Sequence, residues 1–205
     1  MGVDTIKEAL PAYAKDTRLN LGSVTTTSSL SPQRLWGALV ATAVASRNAV
    51  VLREIAEEAA KNVSPEAIEA AKAAASIMAM NNVYYRGKHL IGDEAYQSLP
   101  ARLRMQVIGN PGVDKADFEL WCLAVSAVTG CGVCLESHER ALIKTGASRE
   151  HVHDALRIAA VVHAAAVTLD AEAALAGLDP LGTKTARVPW GRGPSVSHQV
   201  TASRW

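Results

Sequence analysis

An all-α fold is predicted for this chain on three observations. Helix-capping residues recur along it, apolar residues follow helical spacing between them, and no run of alternating β-branched residues is long enough for a strand. In order, Ser31-Pro32 and Ser64-Pro65-Glu66 each place an N-cap serine before a proline, whose missing N–H costs nothing in a first helical turn. Asp114 and Asp117 resemble a capping pair just after the turn Pro111-Gly112. Gly130 breaks the helix that follows, and Cys131 starts the next one. Ser148 opens a long final helix on which Val152, Leu156, Ala159, Ala160 and His163 recur at helical spacing, which places His163 on an apolar face as a core or interface residue.

The helical pattern also repeats. Leu35-Trp36-Gly37-Ala38-Leu39 parallels Leu120-Trp121-Cys122-Leu123-Ala124, and Ser64-Pro65-Glu66 parallels Ser148-Arg149-Glu150. An internal duplication of one helical unit accounts for both, the plainer alternative being a chance likeness between alanine-rich amphipathic helices. Only the second copy carries thiols: the Leu-Trp register sets Ser46, Ala49 and Arg53 against Cys131, Cys134 and His138. The expected organisation is a helical domain over residues 1–180 and a flexible basic extension over residues 181–205, where Lys184, Arg187, Arg192 and Arg204 stand without an acid.

Composition narrows the function. Of 205 residues, 49% are apolar but only 4% aromatic, which suits closely packed small-residue helices. With 21 basic and 20 acidic groups the charges nearly cancel, and nothing in the balance points to nucleic acid or a membrane surface. No apolar run reaches the ~20 residues of a membrane span, and Met1–Glu8 lacks the layout of a secretion signal. Two of the three cysteines lie close together, which fits a reducing compartment, so the cytoplasm is expected. No Gly-x-Gly-x-x-Gly, Walker loop or haem-attaching Cys-x-x-Cys-His occurs, so no bound cofactor or metal is expected and electrons would arrive by thiol–disulfide exchange.

The segment Gly130-Cys131-Gly132-Val133-Cys134-Leu135-Glu136-Ser137-His138 carries the chemistry. Cys131 and Cys134 are i and i+3, Cys134 and His138 i and i+4, so the three side chains share one helical face. A base one turn from Cys134 raises its thiolate fraction, and the thiolate is the reactive species. Helix-terminus reasoning alone would instead activate Cys131, at the helix start. Glu119 lies twelve residues before Cys131; if the helices pack antiparallel across Gly130, its carboxylate returns towards His138 and orients it.

Glu119 followed by Cys131-x-x-Cys134-x-x-x-His138 resembles the signature of the alkylhydroperoxidase D (AhpD) family, within the carboxymuconolactone decarboxylase-like superfamily. Glu119-Leu120-Trp121, Met80-Asn81-Asn82-Val83-Tyr84-Tyr85-Arg86-Gly87 and Leu10-Pro11-Ala12-Tyr13-Ala14-Lys15-Asp16 strengthen the likeness, which runs over roughly residues 3–178. The resemblance implies an all-helical homotrimer and a thiol-dependent alkyl hydroperoxide reductase. Its electrons would come from dihydrolipoyl groups of a lipoylated acyltransferase subunit served by lipoamide dehydrogenase, and it would regenerate the peroxiredoxin AhpC. It implies Cys134 as the peroxidatic thiol that becomes a sulfenic acid and forms the mixed disulfide with AhpC. Cys131 would be proton donor and resolving thiol, closing a Cys131–Cys134 redox disulfide, with Glu119 and His138 as the proton relay. Some family members carry a histidine immediately before the second cysteine; this chain has Val133.

Plainer readings stand beside these. The four site residues are a possible zinc set, though no second ligand cluster accompanies them. A dithiol that oxidises once as a switch or carrier, or a non-redox binding or decarboxylase-type member of the superfamily, are the alternative functions. Cys122 reads as a core thiol, His151 and His153 as surface or cap residues, and Met78, Met80, Tyr84 and Tyr85 as packing or trimer contacts.

Overall fold

A computed structural model describes residues 2–176. Residues 181–205, expected to form the basic extension, lie outside the described residues. Among the described residues there is no strand. Two short helices, α1 (Val3–Ala9) and α2 (Lys15–Thr26), precede a first unit of α3 (Pro32–Ser46), α4 (Ala49–Ala59) and α5 (Pro65–Ile91). A connecting stretch holds α6 (Glu94–Ser98) and α7 (Gln106–Gly109), and a second unit follows of α8 (Lys115–Thr129), α9 (Gly132–Lys144) and α10 (Arg149–Leu175).

The caps fall where the sequence puts them. Ser31, Ser64 and Ser148 each accept a backbone N–H three residues on, and Asp114 accepts those of Ala116 and Asp117. Asp117 has a different partner from the one its spacing suggests. Its carboxylate is buried, takes Arg34 Nε at 2.5 Å and Gln33 Nε2 at 2.8 Å, and so ties the start of α8 to the start of α3.

The two units match in element order, with first helices of 15 residues and third helices of 27 in both. The caps set their register two residues away from the one the Leu-Trp pairs imply. Asn48 stands at the N-cap of α4, preceded by left-handed Arg47, as Cys131 stands at the N-cap of α9, preceded by left-handed Gly130. By that register Val51 and Ile55, both buried and apolar, occupy the places of Cys134 and His138. The first unit keeps the frame and fills the site with hydrocarbon.

α3 and α8 cross at the centre, each also packed against α5 and α10. Trp121 is fully buried there, its ring lying over Gly37 and its Nε1–H bonded to the Arg34 carbonyl at 3.1 Å. A Cβ at Gly37 would come within 2.1 Å of the indole, so only glycine permits this approach. Truncating Trp121 to alanine would cost about 3–5 kcal/mol.

α10 buries a different stripe from the one its apolar spacing suggests, and His163 is not in the core. Its buried stripe is Asp154, Ala155, Ile158, Ala159, Val162, Ala165, Ala166 and Leu169. His163, Leu156 and Ala160 are exposed in the chain instead, and His163 Nδ1 meets Ser46 Oγ at 3.4 Å. The cause is composition: an alanine-rich helix is apolar on most sides, so apolar spacing alone does not select its inner face. For the same reason α10 is, by length and mean hydropathy alone, apolar enough to cross a membrane, although charged residues interrupt its apolar run on either side of Ile158–Leu169. In this fold it packs against α2, α3 and α8. Asp154 anchors it, accepting Ser29 N–H at 2.7 Å and the hydroxyls of Ser28 and Ser29 at 3.0 and 2.9 Å.

α5 fastens the far end of α8. Asn82 donates to Thr129 Oγ1 at 2.7 Å and accepts Ser126 Oγ–H at 3.1 Å, while Arg86 donates to the Thr129 carbonyl. The last turn of α8 is thereby fixed just before the chain reaches Gly130.

Candidate active site

Gly130 adopts φ 69°, the left-handed conformation that ends α8. Its N–H bonds to Ala127 O at 3.2 Å, and the N–H of Cys131 reaches back to Ser126 O at 3.0 Å. The chain then enters α9 with Cys131 at the N-cap and Cys134 in the first turn. Their Cα atoms are 5.3 Å apart and their sulfurs are joined in a disulfide.

The turn makes α8 and α9 antiparallel neighbours, and Glu119 does come back to the cysteine helix. Its Oε2 accepts His138 Nδ1–H at 2.7 Å, with both side chains buried. The second ring nitrogen, Nε2, lies 3.2 Å from Met78 Sδ on α5. Carboxylate and thioether are both acceptors, and together they engage both ring nitrogens. Cys134 makes no hydrogen bond to His138 or Glu119 among the described residues. In the disulfide form the imidazole is engaged by Glu119 and Met78 instead.

A cavity of about 380 Å³ joins these groups. Cys134, His138, Glu119 and Ser137 line one part of it, and Met78, Asn81 and Tyr85 enter from α5. Met105 and Ile108 close it from the connecting stretch, and Val133 and Ala141 complete the wall. Cys131 is not among the lining residues and is fully buried. Of the two sulfurs, therefore, Cys134 is the one presented to an incoming molecule. Polar reactive groups at one part and hydrocarbon around them suit a small organic ligand.

The remaining sequence candidates separate cleanly. Cys122 is buried on α8, where burial, with the nearby Glu119 charge, pushes its thiol pKa well above the ordinary value. It is a core thiol. His151 is half-buried and His153 exposed, and neither lines the dithiol cavity. Tyr84 packs edge-on against Tyr85, whose hydroxyl reaches Met105 Sδ at 3.8 Å. No group of three His, Cys, Asp or Glu among the described residues is placed to hold a metal ion. Met78, Asn81, Tyr85, Met105 and Ile108 were not picked out by sequence as site residues. The Met80–Gly87 motif, which Asn81 and Tyr85 share, was the one signal in their neighbourhood.

A buried dithiol beside a Glu–His pair, on the duplicated half of an all-helical frame, defines a class. The model of the carboxymuconolactone decarboxylase family matches residues 94–177, the connecting stretch and the second unit. Over nearly the whole described chain the similarity is narrower. The protein named alkyl hydroperoxide reductase AhpD from Streptomyces coelicolor is 61% identical over 176 residues, which is 86% of this chain and 99% of that protein. Its namesake from Rhodospirillum centenum is 59% identical over 87% of this chain and 96% of its own length. That from Gluconacetobacter diazotrophicus is 57% identical over 85% and 96%. The chain belongs to the AhpD family.

Proposed function

We propose that this protein is a thiol-dependent alkyl hydroperoxide reductase, cycling between the Cys131–Cys134 dithiol and disulfide. The observation that carries the reading is the placement of Cys134, the cavity-facing sulfur, in one pocket with His138 and Glu119. The relatives' printed name agrees with it.

The Cys134 thiolate attacks the terminal oxygen of the hydroperoxide. An S–O bond forms as the O–O bond breaks, leaving a sulfenic acid on Cys134 and an alkoxide that takes a proton and departs as the alcohol. The Glu119–His138 pair supplies and recovers protons at this step, the thioether contact being the weaker of the two that hold the imidazole. The Cys131 thiol then displaces the sulfenic oxygen as water and closes the disulfide. A dihydrolipoyl group of a lipoylated acyltransferase subunit, itself kept reduced by lipoamide dehydrogenase, returns two electrons by thiol–disulfide exchange. The reduced dithiol also passes electrons to oxidised AhpC, through a mixed disulfide at Cys134. No cofactor is required within the chain, and work in the cytoplasm accords with a dithiol that must be re-reduced. Assembly as a homotrimer is supported by the apolar side chains left exposed at the end of α5 and beyond it, Val83, Leu90, Ile91, Tyr96 and Leu99.

The test is organic peroxide consumption by the purified protein with dihydrolipoamide as donor, beside Cys134→Ser and Cys131→Ser. Sustained turnover that both variants abolish is the expected result. A disulfide that dihydrolipoamide reduces without any peroxide turnover would instead make the protein an electron carrier or switch, with oxidised AhpC as its next substrate. Full activity in Cys134→Ser would remove dithiol chemistry altogether.

A further inference from the structure

One face of α5 borders the dithiol cavity, where Met78, Asn81 and Tyr85 recur at spacings of three and four. Met78 is engaged with His138, but the two polar residues have no strong partner. Asn81 is 4% exposed, and its Oδ1 is turned into the protein, out of reach of any ligand. The amide nitrogen is therefore the end of the side chain that the cavity meets, and it has no acceptor among the described residues. Neighbouring Asn82, by contrast, uses both ends of its amide, on Thr129 and Ser126. Tyr85 donates its hydroxyl to the Met105 thioether at 3.8 Å, a weak acceptor that an incoming oxygen would displace. Two donors without good acceptors thus stand on the α5 wall of the cavity that Cys134 enters from α9. In a cavity lined mostly by hydrocarbon, such donors are satisfied only by what enters it.

We propose that the Asn81 amide nitrogen and the Tyr85 hydroxyl form an oxyanion site, donating to the oxygen that leaves when Cys134 attacks a hydroperoxide. The inference rests on the peroxidase reading above and deepens it. As the thiolate bonds to the terminal oxygen, the O–O bond breaks and its electron pair passes to the inner oxygen, the one attached to carbon. Sulfur is oxidised to the sulfenic acid, the peroxide is reduced, and the inner oxygen leaves as an alkoxide that is then protonated to the alcohol. That proton comes from the Glu119–His138 pair, as already written. Asn81 and Tyr85 exchange neither proton nor electron. Negative charge on the inner oxygen grows only towards the transition state, so donors aimed at it speed the reaction more than they tighten binding. An alkoxide, with its charge on one atom, gains most from them. A carboxylate leaving from a peracid shares its charge between two oxygens and gains least. The α5 wall therefore suits alkyl hydroperoxides in particular.

The experiment is single-turnover oxidation of the reduced protein, followed by loss of free thiol, in wild type, Asn81→Leu and Tyr85→Phe. Asn81→Leu matches the side chain in size without its polar atoms. Tyr85→Phe removes a single oxygen and decides the matter alone should the first variant fail to fold. tert-Butyl hydroperoxide is the probe that releases an alkoxide, and peracetic acid the probe that releases a carboxylate. Diamide, which oxidises the same dithiol without releasing an oxygen, is the control. The expected result in each variant is a roughly 10- to 100-fold slower reaction with the hydroperoxide. The loss with peracetic acid should be clearly smaller, and diamide oxidation unchanged. A wild-type hydroperoxide rate in either variant overturns the inference. So do equal losses with the two peroxides, because the leaving oxygen would then not be what the donors meet. An equal loss with diamide also overturns it, by showing a structural role. Wild-type protein that diamide oxidises but neither peroxide does would remove the peroxidase reading and the inference together.

Discussion

The thioether of Met78 lies 3.2 Å from His138 Nε2, so a residue 60 positions away holds the side of the imidazole that Glu119 does not. Met78→Leu keeps the volume and removes the acceptor, with a stability cost below about 1.5 kcal/mol. The expected outcome is a ring freed at Nε2. In ¹⁵N spectra the His138 nitrogens should shift in the variant, and the rate of peroxide consumption should change with them. Unchanged spectra and rate would show the sulfur to be mere packing.

The hydrogen bond from His138 to Glu119 yields a second expectation. Glu119→Gln preserves shape and hydrogen bonding but removes the carboxylate beside the ring. Peroxide turnover should fall by roughly 10²–10⁴-fold, the range of general acid–base contributions, and His138→Gln should fall comparably. Circular dichroism should show both variants folded. Normal turnover in Glu119→Gln would take the carboxylate out of the proton route.

Cys122 should be inert. Its thiol is held protonated by burial, with the Glu119 charge adding to the effect, and a thiol reacts as its thiolate. After reduction at neutral pH, iodoacetamide should label Cys134 in the native protein and leave Cys122 untouched until denaturant is added. Cys122→Ala should retain dithiol cycling.

Asp154 carries an acid-sensitive part of the stability. Burial alone would raise its pKa, but hydrogen bonds from Ser29 N–H, the Ser29 and Ser28 hydroxyls and Arg157 outweigh that and hold it below the ordinary 3.8. A depressed folded-state value means the stabilisation is fully present above the unfolded value and disappears as pH falls through the folded one. Asp154→Asn should therefore be less stable than wild type at neutral pH, by about 2–3 kcal/mol. In thermal melts the gap should close on acidification below pH 3.8. A gap that persisted undiminished in acid would assign the effect to shape instead of charge.

The cysteine face and the return of Glu119 were legible in the sequence because both follow from local rules: i, i+3 and i+4 spacing on α9, and an antiparallel turn at one glycine. The α5 side of the cavity was not. Met78 and Asn81 reach the site through a packing of α5 against α8 and α9 that no local pattern encodes. Leu156 and Ala160 show the complementary failure, both exposed where apolar spacing set them on the inner face. On a helix where exposed Val167 and buried Asp154 both occur, hydrophobicity is a poor guide to which way a residue faces. The duplication was legible from its Leu-Trp pairs, but its register was not, since the caps at Asn48 and Cys131 define it and those two residues look nothing alike.

The reactive half of the duplication cannot be excised from the silent one. Residues 115–175 hold both cysteines of the redox pair, the glutamate and the histidine, yet the wall that faces them belongs to α5. The unit without thiols supplies the other jaw of a vice, so a change in the first unit reaches the sulfur as directly as one beside it.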